Sequence, residues 1–181
     1  MGGPKALVEI DRAPAVVTAV RRLAGAGCGR TLVVVGASAE PVAALVSDVP
    51  GVGVVEAEDW AEGMGASLRA GLAALPDGDA TAVLVTLVDL PDVTAPVMRR
   101  VVEAWLDRGG RSDDLVRATY GGRPGHPVLI GRQHWAPLAA SLSGDVGAQP
   151  YLAERRVHEV SCEDLATGRD VDRPTDLEVD G

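Results

Sequence analysis

Apolar positions along this chain keep two rhythms, a helical spacing of about 3.6 residues and short unbroken runs, and the alternation between them divides it into elements. Residues 13–24, APAVVTAVRRLA, place Val16, Val17, Val20 and Leu23 at helical spacing, with Arg21 and Arg22 on the other face and Gly25 as the stop. A short strand is expected over Thr31–Val35, closing at Gly36 and Ser38, which start a helix over Pro41–Val46. Val52–Glu56 reads as the next strand. In Trp60–Leu75 two glycines, Gly63 and Gly65, precede a helix with Leu68, Leu72 and Leu75 on one face and Ser67 in its first turn. Ala82–Val88 is too short for a buried helix and is closed by Pro91, the pattern of a strand covered on both faces. A helix over Ala95–Leu106 follows.

Helices alternating with strands predict a parallel sheet with right-handed crossovers. Such a unit normally opens with an apolar strand before its Gly-rich turn. Leu7–Ile10 is one option, but the expected strand would lie upstream of Met1.

Beyond residue 110 the pattern changes. Asp113–Tyr120 reads as a strand carrying Arg117, and Gly121–Ile130 as a turn feeding a second strand, joined too closely for a parallel crossover. Residues 121–125 are expected to form an irregular loop that places His126 beside the sheet edge. Trp135–Leu142 is a short helix, and Ser143, Gly144 and Asp145 cap another that runs to Ala153, with Asp145 as its N-cap. The tail carries DVDRPTDL: in a strand Asp170 and Asp172 share one face, and Thr175 or Asp176 opens a terminal helix. No internal repeat or heptad pattern is visible.

Composition narrows the function classes. A chain of 181 residues, 46% hydrophobic and 24% charged, is expected to fold as one domain spanning 1–181. No apolar run reaches the roughly 18 residues of a membrane span, and no signal peptide is visible. Cys28 and Cys162 lie far apart without metal-type spacing, which points to a reduced, cytoplasmic protein. A net charge of −9 argues against binding nucleic acid through a basic face. An acidic protein that handles anions usually needs a divalent cation. Lys5 is the single lysine among 17 basic residues. Its compact ammonium acts on a phosphate as a point charge, and the preceding Gly2 and Gly3 let backbone approach a ligand closely.

Asp89 ends the 82–88 run, and ligands collect outside the carboxyl ends of strands in open parallel sheets. The competing reading is a cap for the helix near Thr94. The glycine-opened helix with Ser67 reads equally as an anion site or as an ordinary cap, and His126 as a ligand contact or a structural hydrogen-bonder. Asp170 and Asp172 need a shared cation unless they are simply a solvated acidic tail. No strand-flanked G-x-G-x-x-G with a following acidic residue is present, which argues against an NAD-dependent dehydrogenase.

Taken in order, MGGPK, WAEGMGASLRAGL, the strand ending VDLP, GGRPGHPVLI, SGDVGAQPYL and DVDRPTDL resemble the MobA-like nucleotidyltransferases, most closely the branch that transfers CMP from CTP to the molybdenum cofactor. The resemblance covers nearly the whole chain. It implies a Rossmann-like three-layer α/β/α sandwich with a mostly parallel sheet, of the nucleotide-diphospho-sugar transferase type. By the same resemblance Gly2, Gly3 and Lys5 belong to the nucleotide-binding loop, with Lys5 on the phosphates, and Asp89 binds Mg²⁺, helped by Asp172 and Asp170. Gly65, Ser67, Arg123 and His126 fall where the pterin substrate is held. The implied partners are CTP or another NTP, a molybdopterin-type small molecule and a molybdenum hydroxylase. A non-catalytic pterin-binding accessory protein, or a related transferase using GTP or a sugar or lactate phosphate, are the alternatives. The family pattern places a strand and L-A-A-G-x-G-x-R ahead of M-G-x-P-K, and it commonly has Gly where Val88 stands here.

Overall fold

A computed structural model describes residues 5–76 and 78–170. After a single 3₁₀ turn at Lys5–Leu7, β1 (Glu9–Ile10) and β2 (Ala13–Pro14) form a minimal hairpin. Its two turn residues, Asp11 and Arg12, both take left-handed backbone, with φ of 54° and 64°. The Thr18 hydroxyl donates to the Ile10 carbonyl at 3.0 Å and ties this hairpin to α1 (Ala15–Gly25). The helix begins two residues later than its periodicity suggests, because Ala13 and Pro14 are used as strand.

The next elements are β3 (Thr31–Val35), α2 (Ala39–Ala44), β4 (Val52–Glu56), α3 (Met64–Ala73) and β5 (Ala82–Val85). Then come α4 (Ala95–Asp107), β6 (Leu115–Tyr120), β7 (Arg123–Gly131), α5 (Trp135–Ser141), α6 (Gln149–Ala153) and β8 (His158–Ser161). The expectation of a mostly parallel sheet is corrected: among the described residues two separate pieces form, with two parallel and two antiparallel strand pairs outside the β1–β2 hairpin. β3 and β4 pair in parallel, with Thr31 opposite Val52. A separate four-stranded sheet has the order β5-β7-β6-β8, in which β7 runs antiparallel to both neighbours and β8 is parallel to β6.

Two local differences have clear causes. The strand expected to reach Val88 stops at Val85, opposite Val128; the next residue on β7 is Pro127, which has no N–H with which to continue the ladder. The loop expected over 121–125 is instead a tight hairpin. Gly121 and Gly122, at φ of 56° and 74°, supply the two left-handed residues of a hairpin turn, and Tyr120 already pairs with Arg123. His126 therefore lies within β7.

Alternation along β5 assigns its two faces. Ala82 and Leu84 join a core built from Val93, Val97, Met98 and Val101 of the α4 region, while Val83 and Val85 pack with Leu72 of α3 and Trp135 and Leu138 of α5. Helices thus cover both faces of the four-stranded sheet. A third cluster of Val16, Val20, Val35, Val42 and Val46 closes α1 and α2 over β3.

Candidate active site

Residues 86–88 run on from β5 without ladder pairing and deliver Asp89 to the carboxyl end of the strand. Asp89 does not cap α4, whose N-cap position is held by Thr94. Its Oδ2 instead meets the Lys5 ammonium at 2.9 Å, joining two residues that stand 84 positions apart. The carboxylate is the more enclosed partner, 15% exposed against 46% for the lysine. Its other oxygen, Oδ1, is buried with no hydrogen-bond partner. A desolvated carboxylate oxygen left over from an ion pair is costly unless a cation completes it, so the donor chemistry here suits a hard divalent ion.

His126 senses the same charge. Burial pulls its imidazole below the ordinary value, and the negative charge of Asp89 pushes in the opposite direction. The unfolded chain consequently takes up this proton at a higher pH than the folded one. Stability is therefore complete above the unfolded value of about 6.5 and falls as pH drops through it toward the lower folded value. Urea midpoints measured on descending pH are expected to show this loss, and His126→Gln should flatten it. An unchanged slope in the variant would assign the acid sensitivity to other groups.

The backbone around these side chains is braced by residues that periodicity does not single out. Arg22, assigned by its helical spacing to a polar face with Arg21, turns inward: its guanidinium donates to the carbonyls of Leu90, Pro91 and Val93 at 3.0, 2.7 and 3.3 Å and to Asp11 Oδ2 at 2.8 Å. It clamps the turn just after Asp89 to the hairpin just after Lys5. Arg22→Leu leaves those carbonyls without their charged donor and is expected to lower unfolding free energy by about 2–3 kcal/mol in urea titrations. Arg22→Lys should recover only part of it, because an ammonium cannot reproduce the fork. Tyr120 donates its hydroxyl to the His126 carbonyl at 2.6 Å, and its ring lies where a side chain at Gly125 or Gly168 would otherwise project. Asp92 Oδ2 accepts from both the N–H and the hydroxyl of Thr167 at 2.6 Å, which pins the segment leading to Asp170 onto the Asp89 turn.

The remaining expected residues divide into groups. Ser67 is half-buried on α3 and lines the same cavity as His126. Gly65 is buried against the neighbouring loop: its N–H donates to the Gly144 carbonyl at 3.1 Å, and a side chain there would meet that oxygen at 2.8 Å, so close packing explains this glycine. In the same contact Asp145, expected to cap the helix that follows it, accepts from the Met64 N–H at the start of α3. It caps α3, and α6 begins only at Gln149. Arg123 is exposed and shares an open depression with Asp170, Glu163 and Thr167. Asp170 lies in irregular backbone. Gly2, Gly3 and Asp172 fall outside the described residues. Among the described residues no group of three His, Cys, Asp or Glu side chains is assembled as a metal cage, so a cation at Asp89 would draw its other ligands from phosphates, water or the tail.

Comparison with known proteins agrees with this architecture. Residues 1–160 match the model of the MobA-like NTP transferase domain. The chain is 32% identical over 176 residues to nicotine blue oxidoreductase of Paenarthrobacter nicotinovorans, a match covering 94% of this chain and 84% of that protein. Among solved structures it is similar to Rv0371c of Mycobacterium tuberculosis H37Rv, with a TM-score of 0.80 and 25% identity over 98% of this chain and 88% of that one. A manganese complex of Rv0371c superposes with a TM-score of 0.76 at 24% identity, covering 97% and 89% of the two chains.

Proposed function

This chain belongs to the MobA-like NTP transferase family, and from that premise we propose that it transfers CMP from CTP to a molybdopterin-type phosphate, releasing pyrophosphate, with a divalent cation such as Mg²⁺. The observation that carries the reading is the Lys5–Asp89 pair, in which a single ammonium and a carboxylate with one orphaned buried oxygen meet at the end of a strand. Manganese in the Rv0371c complex supports the use of a divalent ion. The proposal extends to one nucleotidyltransferase domain over 1–181, arranged as a three-layer α/β/α sandwich. It also extends to a cytoplasmic location and to a molybdenum hydroxylase as the recipient of the product.

The residue types suit the reaction. Two polyanions must meet, and the α-phosphorus must accept an oxygen while pyrophosphate leaves. Asp89, with Asp170 and Asp172 as further ligands, would hold the cation, which when bound neutralises and orients phosphate oxygens. Lys5 exchanges its carboxylate partner for phosphate and offsets the charge growing on the leaving group. The acceptor phosphate is already ionised near neutral pH, so positioning replaces a tuned protein base. The neutral His126 and the Ser67 hydroxyl offer hydrogen bonds to a heterocycle from one cavity, and Arg123 offers a positive charge to its phosphate.

A second reading, an oxidoreductase acting on nicotine blue, is favoured by the 32% identity to the enzyme of that name. One set of assays separates them. Purified protein is given each NTP, Mg²⁺ or Mn²⁺ and molybdopterin, and pyrophosphate is measured; in parallel, nicotine blue is followed with a reduced nicotinamide donor. Pyrophosphate release with CTP is the expected result. Release with GTP alone points to a related transferase, and pterin binding without turnover to an accessory protein. Bleaching of the dye with no pyrophosphate from any NTP overturns the transferase reading.

A further inference from the structure

Arg117 is the charged residue of β6, and the register of the four-stranded sheet decides which face it takes. Leu115 pairs with Ile130 and Arg117 with Val128. Side chains two apart on a strand share a face, so Arg117 lies on the face where Leu115, Val128 and Ile130 pack beneath α3, α5 and α6. The row through it runs Val85, Val128, Arg117, Glu159 across β5, β7, β6 and β8. Val85 is the last residue of β5, so this row borders the end from which residues 86–88 lead to Asp89. The charge stands where an apolar face gives way to the candidate site.

Its guanidinium is only half used. Nε and Nη2 both donate to a single oxygen, Oε1 of Glu159, at 3.2 and 2.6 Å. Nη1 is buried without a hydrogen-bond partner, on a side chain that is 13% exposed. An arginine that serves only as a structural ion pair gains most from the parallel fork onto both carboxylate oxygens, and a buried charged donor left without an acceptor destabilises the fold. Arg117 also lines the cavity that holds Ser67 and His126, and His126 stands two residues from Val128 on β7.

The positive charge of Arg117 is already opposed by Glu159. The cavity wall therefore lacks an acceptor for an oriented N–H, not a counter-ion. A phosphate there would set its own charge against the Glu159 carboxylate, whereas a neutral carbonyl oxygen meets no such repulsion. We propose that Arg117 determines specificity for the acceptor: Nη1 donates to the ring carbonyl of an oxo-heterocycle that shares the cavity with Ser67 and His126, and Glu159 fixes the plane of the guanidinium. The inference rests on the reading of the acceptor as a pterin-type molecule, whose phosphate stays with Arg123 and the cation. An amino group in place of the carbonyl turns one donor against another, and that mismatch is what the site rejects.

The test follows pteridine fluorescence as the full chain binds free pterin or its diamino analogue, in which an amino group replaces the ring carbonyl. The parent protein is expected to bind pterin about tenfold or more tightly than the analogue, and Arg117→Met to bind the two alike. Arg117→Met removes an incompletely satisfied buried charge and leaves a Glu159 that is 49% exposed, so it should stay folded. Should it not, Arg117→Lys decides, since an ammonium keeps the pair with Glu159 but has no second arm in a fixed direction and is expected to lose the preference too. Equal binding of both pteridines by the parent, or a preference that survives in the variants, overturns the inference and leaves the transferase reading to the pyrophosphate assay with CTP. Competition by inorganic phosphate that is seen in the parent and lost in Arg117→Met would assign the guanidinium to a phosphate and overturns it as well. No binding of either pteridine to the parent overturns the inference together with the pterin reading of the acceptor.

Discussion

Asp89→Ala is expected to lower pyrophosphate release by about a thousandfold or more while the protein remains folded. The activity loss follows from removing the carboxylate at the carboxyl end of β5 that pairs with Lys5 through one oxygen and leaves the other buried without a partner. Stability should not suffer. The Oδ1 atom is desolvated without compensation, and the pair made by Oδ2 is with a lysine that is 46% exposed, where solvent screening leaves little net energy. Thermal unfolding of Asp89→Ala should match or slightly exceed that of the parent, and Asp89→Asn should fail in turnover for the same electrostatic reason while keeping the shape. Manganese binding read by paramagnetic relaxation supplies an independent measure, expected to weaken in both variants. Undiminished turnover in either one removes Asp89 from the site.

Lys5→Ala is expected to cost about a hundredfold or more in turnover with CTP, the scale of losing one charged group aimed at a transition state. The loss should appear in kcat as well as KM, because the ammonium meets charge that grows as pyrophosphate departs. Lys5→Arg keeps the charge but replaces a point ammonium by a broad planar fork, so partial activity is expected. Since Lys5 and Asp89 act as one unit at 2.9 Å, the double variant should be no worse than Asp89→Ala alone. A silent Lys5→Ala would show that this segment does not reach phosphate.

Much of the local architecture is legible in the chain. Thr31–Val35 and Val52–Glu56 are strands residue for residue, since short β-branched runs bounded by glycine and polar turns have no helical alternative. The helices at residues 15–25 and 95–107 follow their apolar spacing to within two residues. Lys5 and Asp89 stand out through their type and placement alone. Arg22 does not, because a guanidinium beside Arg21 on an amphipathic helix reads as a solvated face, and its carbonyl partners lie 68 to 71 positions away. Asp145 is correctly suspected of capping, yet the helix it caps begins 81 positions earlier.

The chain by itself therefore determined most of the strands and helices between residues 15 and 142 and their order, and which residue types are available for phosphate and metal chemistry, but not the β1–β2 hairpin or β8. These properties are set by spacing within about ten residues, where periodicity and turn chemistry act. Only the tertiary structure decided that Lys5 closes on Asp89 and that Arg22 braces the turn behind it. Those outcomes depend on which distant surfaces pack together, and that is not encoded in any local window.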